Sequence, residues 1–168
     1  MDIPRIFNIT ESAHRIHNPF TPDKYATLGT ALRMAPGTRV LDLGSGSGEM
    51  LCTWARDHGI FGTGIDMSAL FSEHAGLRAK ELGVADQVRF IHGDAAGYIA
   101  EEKVDVAACL GATWIGGGLS GTIELLAQSL RARGFRPTLP PGPAIGLVRP
   151  ADRPDRAALD SLRRVALA

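Results

Sequence analysis

The stretch from Val40 to Glu49 constrains this chain most, because an apolar strand runs there straight into three glycines on alternate positions. Gly44, Gly46 and Gly48 put no side chain between backbone and ligand and can take positive φ, so an extended molecule can lie against the main chain. The turn opens a predicted helix, Glu49 to His58, whose unpaired N–H groups suit a carboxylate or a phosphate. The spacing is not the dinucleotide fingerprint. That pattern, G-x-G-x-x-G, wants its third glycine at position 49, where Glu49 stands.

Around this turn the chain alternates strand and helix. Apolar runs predict strands at Arg39 to Leu43, Phe61 to Ile65, Val88 to His92 and Val104 to Leu110. Helices are expected from a Thr21 N-cap to about Met34, from Glu49 to His58, and from a Ser68 cap to Leu82. A short one is expected after Asp94, and another from Ser120 to Leu130. In the helix after Ser68 the expected apolar set is Leu70, Phe71, Ala75, Leu77 and Leu82. In the last helix it is Ile123, Leu126, Ala127 and Leu130. Such alternation argues an α/β, doubly wound, Rossmann-like and mostly parallel sheet. Asp66 closes the second apolar run one strand-helix-strand unit beyond the turn, where an acidic residue can accept both hydroxyls of a ribose.

With these landmarks in order, residues 39 to 118 resemble a class I S-adenosylmethionine-dependent methyltransferase. The matching pieces are the glycine turn, Asp66, the run His92 to Ala95 after the third strand, and the fourth strand itself. Gly111 to Gly117 is similar to a segment of a small-molecule subgroup. The resemblance implies S-adenosyl-L-methionine as cofactor and methyl transfer to a small-molecule acceptor. It would set Gly44, Ser45, Gly46 and Gly48 against the methionine part, and Asp42 would order the turn and reach the amine through water. Asp66 would hold the ribose, Met67 would pack on the adenine, Asp94 and Ala95 would read its edge, and Leu110 would close the other face. Each acid has a plainer use as well, Asp42 as a cap of the turn and Asp66 or Asp94 as a helix N-cap.

Methyl transfer needs orientation and exclusion of water more than a dedicated catalytic group. Trp114, with Thr113, lies where an acceptor would enter, either facing the sulfonium or plugging the wall. Glu11, His14 and His17 are the candidate bases, on an arm that the resemblance would fold over the cofactor together with Phe20 and Tyr25. No metal is called for. The competing readings are a cofactor-binding domain without catalysis and a nicotinamide oxidoreductase, which Glu49 argues against.

At 168 residues the chain is expected to form one domain. Its zero net charge hides an asymmetry: residues 1 to 130 carry 10 Lys/Arg against 15 Asp/Glu, and the remainder carries 8 against 3. An acidic body lacks a wide basic face, which excludes nucleic acid as partner. Cys52 and Cys109, on apolar elements, fit reduced core cysteines of a cytoplasmic protein. Neither a signal peptide nor a membrane span is read. Oligomeric state is not legible.

Residues 1 to 131, with an arm and helix in 1 to 36, read as the methyltransferase domain, and 132 to 168 as a divergent tail. That tail holds 6 of the 10 prolines and no lysine, a switch of composition such as a reading-frame change or genuine divergence would produce. Pro137, Pro140, Pro141 and Pro143 cannot donate to a central ladder. The expectation is a sheet incomplete on its C-terminal side, with the apolar edge of the fourth strand uncovered. Only Ala144 to Val148 reads as a strand there, and Pro154 to Leu167 as a helix.

Overall fold

The computed structural model describes residues 9–10, 13–131, 135–138 and 145–150, the last two segments as backbone. Helix α1 (Pro22–Leu32) leads into β1 (Arg39–Leu43), α2 (Glu49–His58), β2 (Phe61–Asp66), α3 (Ala69–Glu81), β3 (Val88–His92) and β4 (Val106–Leu110). A 3-10 turn (Thr113–Gly116), α4 (Leu119–Ser129), β5 (Phe135–Thr138) and β6 (Ile145–Pro150) follow. The sheet order is β3-β2-β1-β4-β6-β5. The first four strands are parallel, and the last two form an antiparallel hairpin against β4.

Local signals set most boundaries. Thr21 caps α1 by accepting from the Lys24 N–H at 3.3 Å, with Pro22 in the first turn, and Ser68 caps α3 through the Phe71 N–H. Gly59 ends α2 in the left-handed region, φ 67°. Because β1 and β4 are buried on both faces, successive side chains feed two cores. Val40, Val106 and Ala108 pack with Leu28, Leu51 and Trp54 on one side, while Leu41, Leu43, Ala107 and Cys109 pack with Leu125 and Leu126 on the other.

Four expectations change. The fourth strand starts at Val106, because Asp105 turns aside to take the Arg39 N–H on Oδ2 while Val104 makes a lone parallel bridge to Leu130. No helix follows Asp94: its Oδ1 accepts from the Ala96 N–H, and Gly97 at φ 77° closes a turn instead. Leu77 is 57% exposed, since the buried row on α3 is Phe71, Ala75 and Ala79 and Leu77 lies on the far side. On α4 the buried face turns toward Thr122, Leu125, Leu126 and Ser129. The two hydroxyls are tolerated inside because Thr122 Oγ1 donates to the Thr113 carbonyl and Ser129 Oγ accepts the Ala100 N–H.

The edge of β4 is also not left open. Strand β6 pairs along it from Leu110↔Ile145 to Ala107↔Val148, with its one proline at the end of the strand. Pro137 sits in β5, the outermost strand, where a missing N–H costs least. The helix expected from Pro154 to Leu167 lies outside the described residues.

Candidate functional site

The parallel strands end at one rim, and a cavity of about 280 Å³ opens there. That is near the lower limit of small-molecule sites, about 300 Å³. Its floor is the glycine turn. Gly44 and Gly46 take φ 76° and 52°, and the Gly44 N–H donates to the Ile65 carbonyl at 2.8 Å, so the turn is stitched to the neighbouring strand. Asp66, at the end of β2, completes the stitch: Oδ2 accepts from the Gly46 N–H and Oδ1 from the Ser68 N–H, both at 2.8 Å. Its carboxylate is thereby held in one orientation, with lone pairs left over for a ligand.

Asp42 stands behind the turn, 4% exposed, and its Oδ1 has no hydrogen-bond partner. Burial, and then the charge of Asp66, hold its carboxyl well above the usual carboxylate range. A buried acid oxygen without a partner is costly, so Asp42 is poised to receive a cationic or donor group from whatever fills the cavity. This is the chemical fit to the ammonium of an amino-acid ligand.

Of the residues singled out in the sequence, Asp42, Gly44, Ser45, Gly46, Asp66, Met67, Asp94, Ala95, Leu110, His17 and Trp114 all line this cavity. Gly48 does not. It is buried at φ 73°, and a Cβ there would sit 2.6 Å from Phe90 Cζ and 2.7 Å from Ala75 Cβ, so its smallness serves packing between α2 and the sheet. His14 lines a separate groove with His74 and Arg78, and Glu11 lies outside the described residues. Trp114 is 68% exposed at the cavity rim, which rules out a buried plug. Trp54, by contrast, is core, with its indole N–H on the Tyr25 carbonyl.

The arm crosses the rim. His17 stacks on Phe71 with ring centroids 4.1 Å apart, and its Nε2 lies 2.8 Å from Ser47 Oγ. Arg15, Asn18 and Glu49 are among the lining residues that sequence reasoning did not assign to the site. Arg15 pairs with Glu81, which also holds Arg78. Arg78 in turn clamps the 8%-exposed Glu49 through two bonds, Nε to Oε2 at 2.8 Å and Nη2 to Oε1 at 2.9 Å. Asn18 bonds to Tyr25 and to the Leu110 carbonyl. Only Glu49 left a mark in the sequence, as the acid standing where a glycine was wanted.

Residues 40–134 match the family described as a methyltransferase domain. Over 135 residues the chain is 75% identical to the protein YjhP of Escherichia coli strain K12, covering 80% of this chain and 54% of that protein. Two solved structures are each 77% identical at a TM-score of 0.78, with the same coverage of 80% and 54%. They are the S-adenosylmethionine-dependent methyltransferases of Thiobacillus denitrificans and Geobacter sulfurreducens, both in complex with S-adenosyl-L-homocysteine. The chain belongs to the methyltransferase domain family. It spans about half the length of these relatives.

Proposed function

We propose that the cavity at the strand ends binds S-adenosyl-L-methionine and that the protein transfers its methyl group to a small-molecule acceptor. The observation that carries this reading is Asp66, whose carboxylate is fixed by two backbone N–H groups while Asp42 waits beside it with a free oxygen. Asp66 would take the ribose hydroxyls, the Gly44 to Gly46 backbone would lie along the methionine part, and Asp42 would receive the ammonium. Met67, Asp94, Ala95 and Leu110 would enclose the adenine. When bound, the cofactor supplies an activated methyl group on a sulfonium, so the chain's own task is to orient the acceptor and exclude water.

Trp114 and His17 both line the cavity, one on the turn after β4 and the other on the arm. The acceptor would pass between them, with the exposed indole offering a flat apolar wall. His17 is the base candidate that the geometry favours over His14. The acidic body speaks against nucleic acid as acceptor. No helix among the described residues is long and apolar enough to cross a membrane. The buried, unpaired Cys52 and Cys109, both with thiols pushed up to about 12 by burial, suit a reducing compartment such as the cytoplasm.

Calorimetry with S-adenosylhomocysteine, with NAD as control, tests the site. Binding of the former and none of the latter is expected; equal or tighter NAD binding would overturn the reading. Release of S-adenosylhomocysteine in the presence of candidate acceptors tests turnover. A binding domain without catalysis is the second reading. Tight cofactor binding with no transfer to any acceptor that a full-length relative methylates would favour it.

A further inference from the structure

Asn18 stands where the arm, α1 and β4 meet. Its amide orientation is settled by partners of fixed role. The Leu110 carbonyl can only accept and lies 3.1 Å from Nδ2, while the Phe20 N–H can only donate and lies 3.0 Å from Oδ1. The second Nδ2 hydrogen goes to the Tyr25 hydroxyl oxygen at 3.0 Å. Both hydrogens of the amide are then spent, and Tyr25 is the acceptor in this bond. Its own hydroxyl hydrogen is left to be given elsewhere.

Tyr25 is 6% exposed and lines the cavity. It is held on three sides, by Asn18 on the oxygen, by Phe20 stacked on the ring at 5.3 Å, and by the Trp54 indole on its carbonyl. Burial keeps its phenol far above the ordinary range against the opposing effect of the Asn18 bond, with Asp42 and then Glu49 adding to the rise. It therefore remains a donor and cannot serve as a base. It lines the same cavity as Asp42, the acid with the unpaired oxygen. A donor and a free acid oxygen in one cavity match an α-amino acid, which carries its carboxylate and ammonium on a single carbon.

We infer that Asn18 is a positioning residue that fixes the Tyr25 hydroxyl as a hydrogen-bond donor to the carboxylate of the cofactor's amino-acid part. The inference rests on the cofactor reading above. It assigns Asp42 and Tyr25 to opposite ends of the same zwitterion and gives the arm a chemical task beyond covering the site.

Two probes separate this from a packing role: S-adenosylhomocysteine, and 5′-methylthioadenosine, which keeps the nucleoside and thioether without the amino acid. By calorimetry on the full chain, Tyr25→Phe should lose about tenfold or more in affinity for the first, as for a bond to a charged group, and keep its affinity for the second. Asn18→Ala should show a smaller loss of the same selectivity, and combined with Tyr25→Phe it should add nothing, because both act through one bond. Unchanged S-adenosylhomocysteine affinity in Tyr25→Phe, or equal losses for both probes, would overturn the inference alone. Additive losses in the double variant would remove Asn18 from it. A parent chain that binds neither probe would overturn the cofactor reading and this inference together.

Discussion

The glycine turn and the arm line the same cavity, yet they are held in opposite ways. The turn is fixed by backbone groups and by one nearby carboxylate, Gly44 to Ile65 and Gly46 to Asp66, across some twenty residues. The arm is held through side chains in three described bonds: Arg15 to Glu81, His17 to Ser47, and the Asn18 amide to the Leu110 carbonyl, the last across 92 residues. A backbone ladder survives most substitutions, whereas each side-chain bond can be removed by one. The turn is thus the permanent half of the site and the arm the detachable half. Arg78 joins them, because it binds Glu49 at the start of α2 and also Glu81, the anchor of Arg15.

Breaking that joint should have the largest effect. Arg78→Ala leaves Glu49 buried without its cation, which costs about 3 kcal/mol, and chemical denaturation would read it. An unchanged midpoint would show the pair to be incidental. Gly48→Ala attacks the turn itself, forcing a Cβ onto Phe90 and Ala75 at positive φ. A loss of about 2–3 kcal/mol is expected in the same measurement, with cofactor affinity changing only as far as the fold does.

Asp66→Ala should weaken S-adenosylhomocysteine binding by about 1.5–3 kcal/mol, and calorimetry on the folded variant would measure it. Asp42→Asn sharpens the comparison through pH. The carboxyl of Asp42 is raised in the folded chain, so the native state holds that proton more tightly than the unfolded one. The stability it contributes is complete below the ordinary carboxylate range and is lost as pH rises through the raised value. Melting temperatures of the ligand-free Asp42→Asn variant should therefore exceed the parent's by more at pH 8 than at pH 5, while its cofactor affinity falls. A constant difference across pH would mean that Asp42 is not the titrating group. The smallest effect belongs to Arg15→Ala, because its partner is exposed: a melting shift of about one degree or less is expected, with faster proteolysis near residues 13–18 as the sign of a loosened arm. A large melting shift would make the arm part of the core.

Where a structural signal was carried by neighbouring residues, it could be read directly. Arg39 to Leu43 and Val88 to His92 begin and end as expected, the Thr21 and Ser68 caps sit in place, and the tip residues from Asp42 to Leu110 converge on one cavity apart from Gly48. The errors fell where a distant partner decides. Leu77 satisfied a helical pattern but faces solvent, because which stripe is buried depends on where the sheet lies. Thr122 and Ser129 were passed over as polar, and their burial follows from carbonyl and N–H groups elsewhere in the chain.

After Arg131 only Ala144 to Val148 was read as a strand and the edge of β4 was expected to stay uncovered, yet the backbone forms a hairpin whose inner strand, β6, runs antiparallel beside β4. Local propensity cannot show that a neighbouring edge is waiting to be filled. The glycine spacing, the capping residues and the alternation of strand and helix were thus enough to determine the doubly wound architecture and the rim where the cavity opens, because those features act over a few residues. The tertiary structure alone decided that Asp42 keeps an unpaired oxygen, that Glu49 is neutralised by Arg78, and that the Asn18 amide donates to the Tyr25 hydroxyl. Each of these depends on groups 7 to 92 residues apart meeting in space, and hydrogen bonds and burial act between whatever the fold brings together.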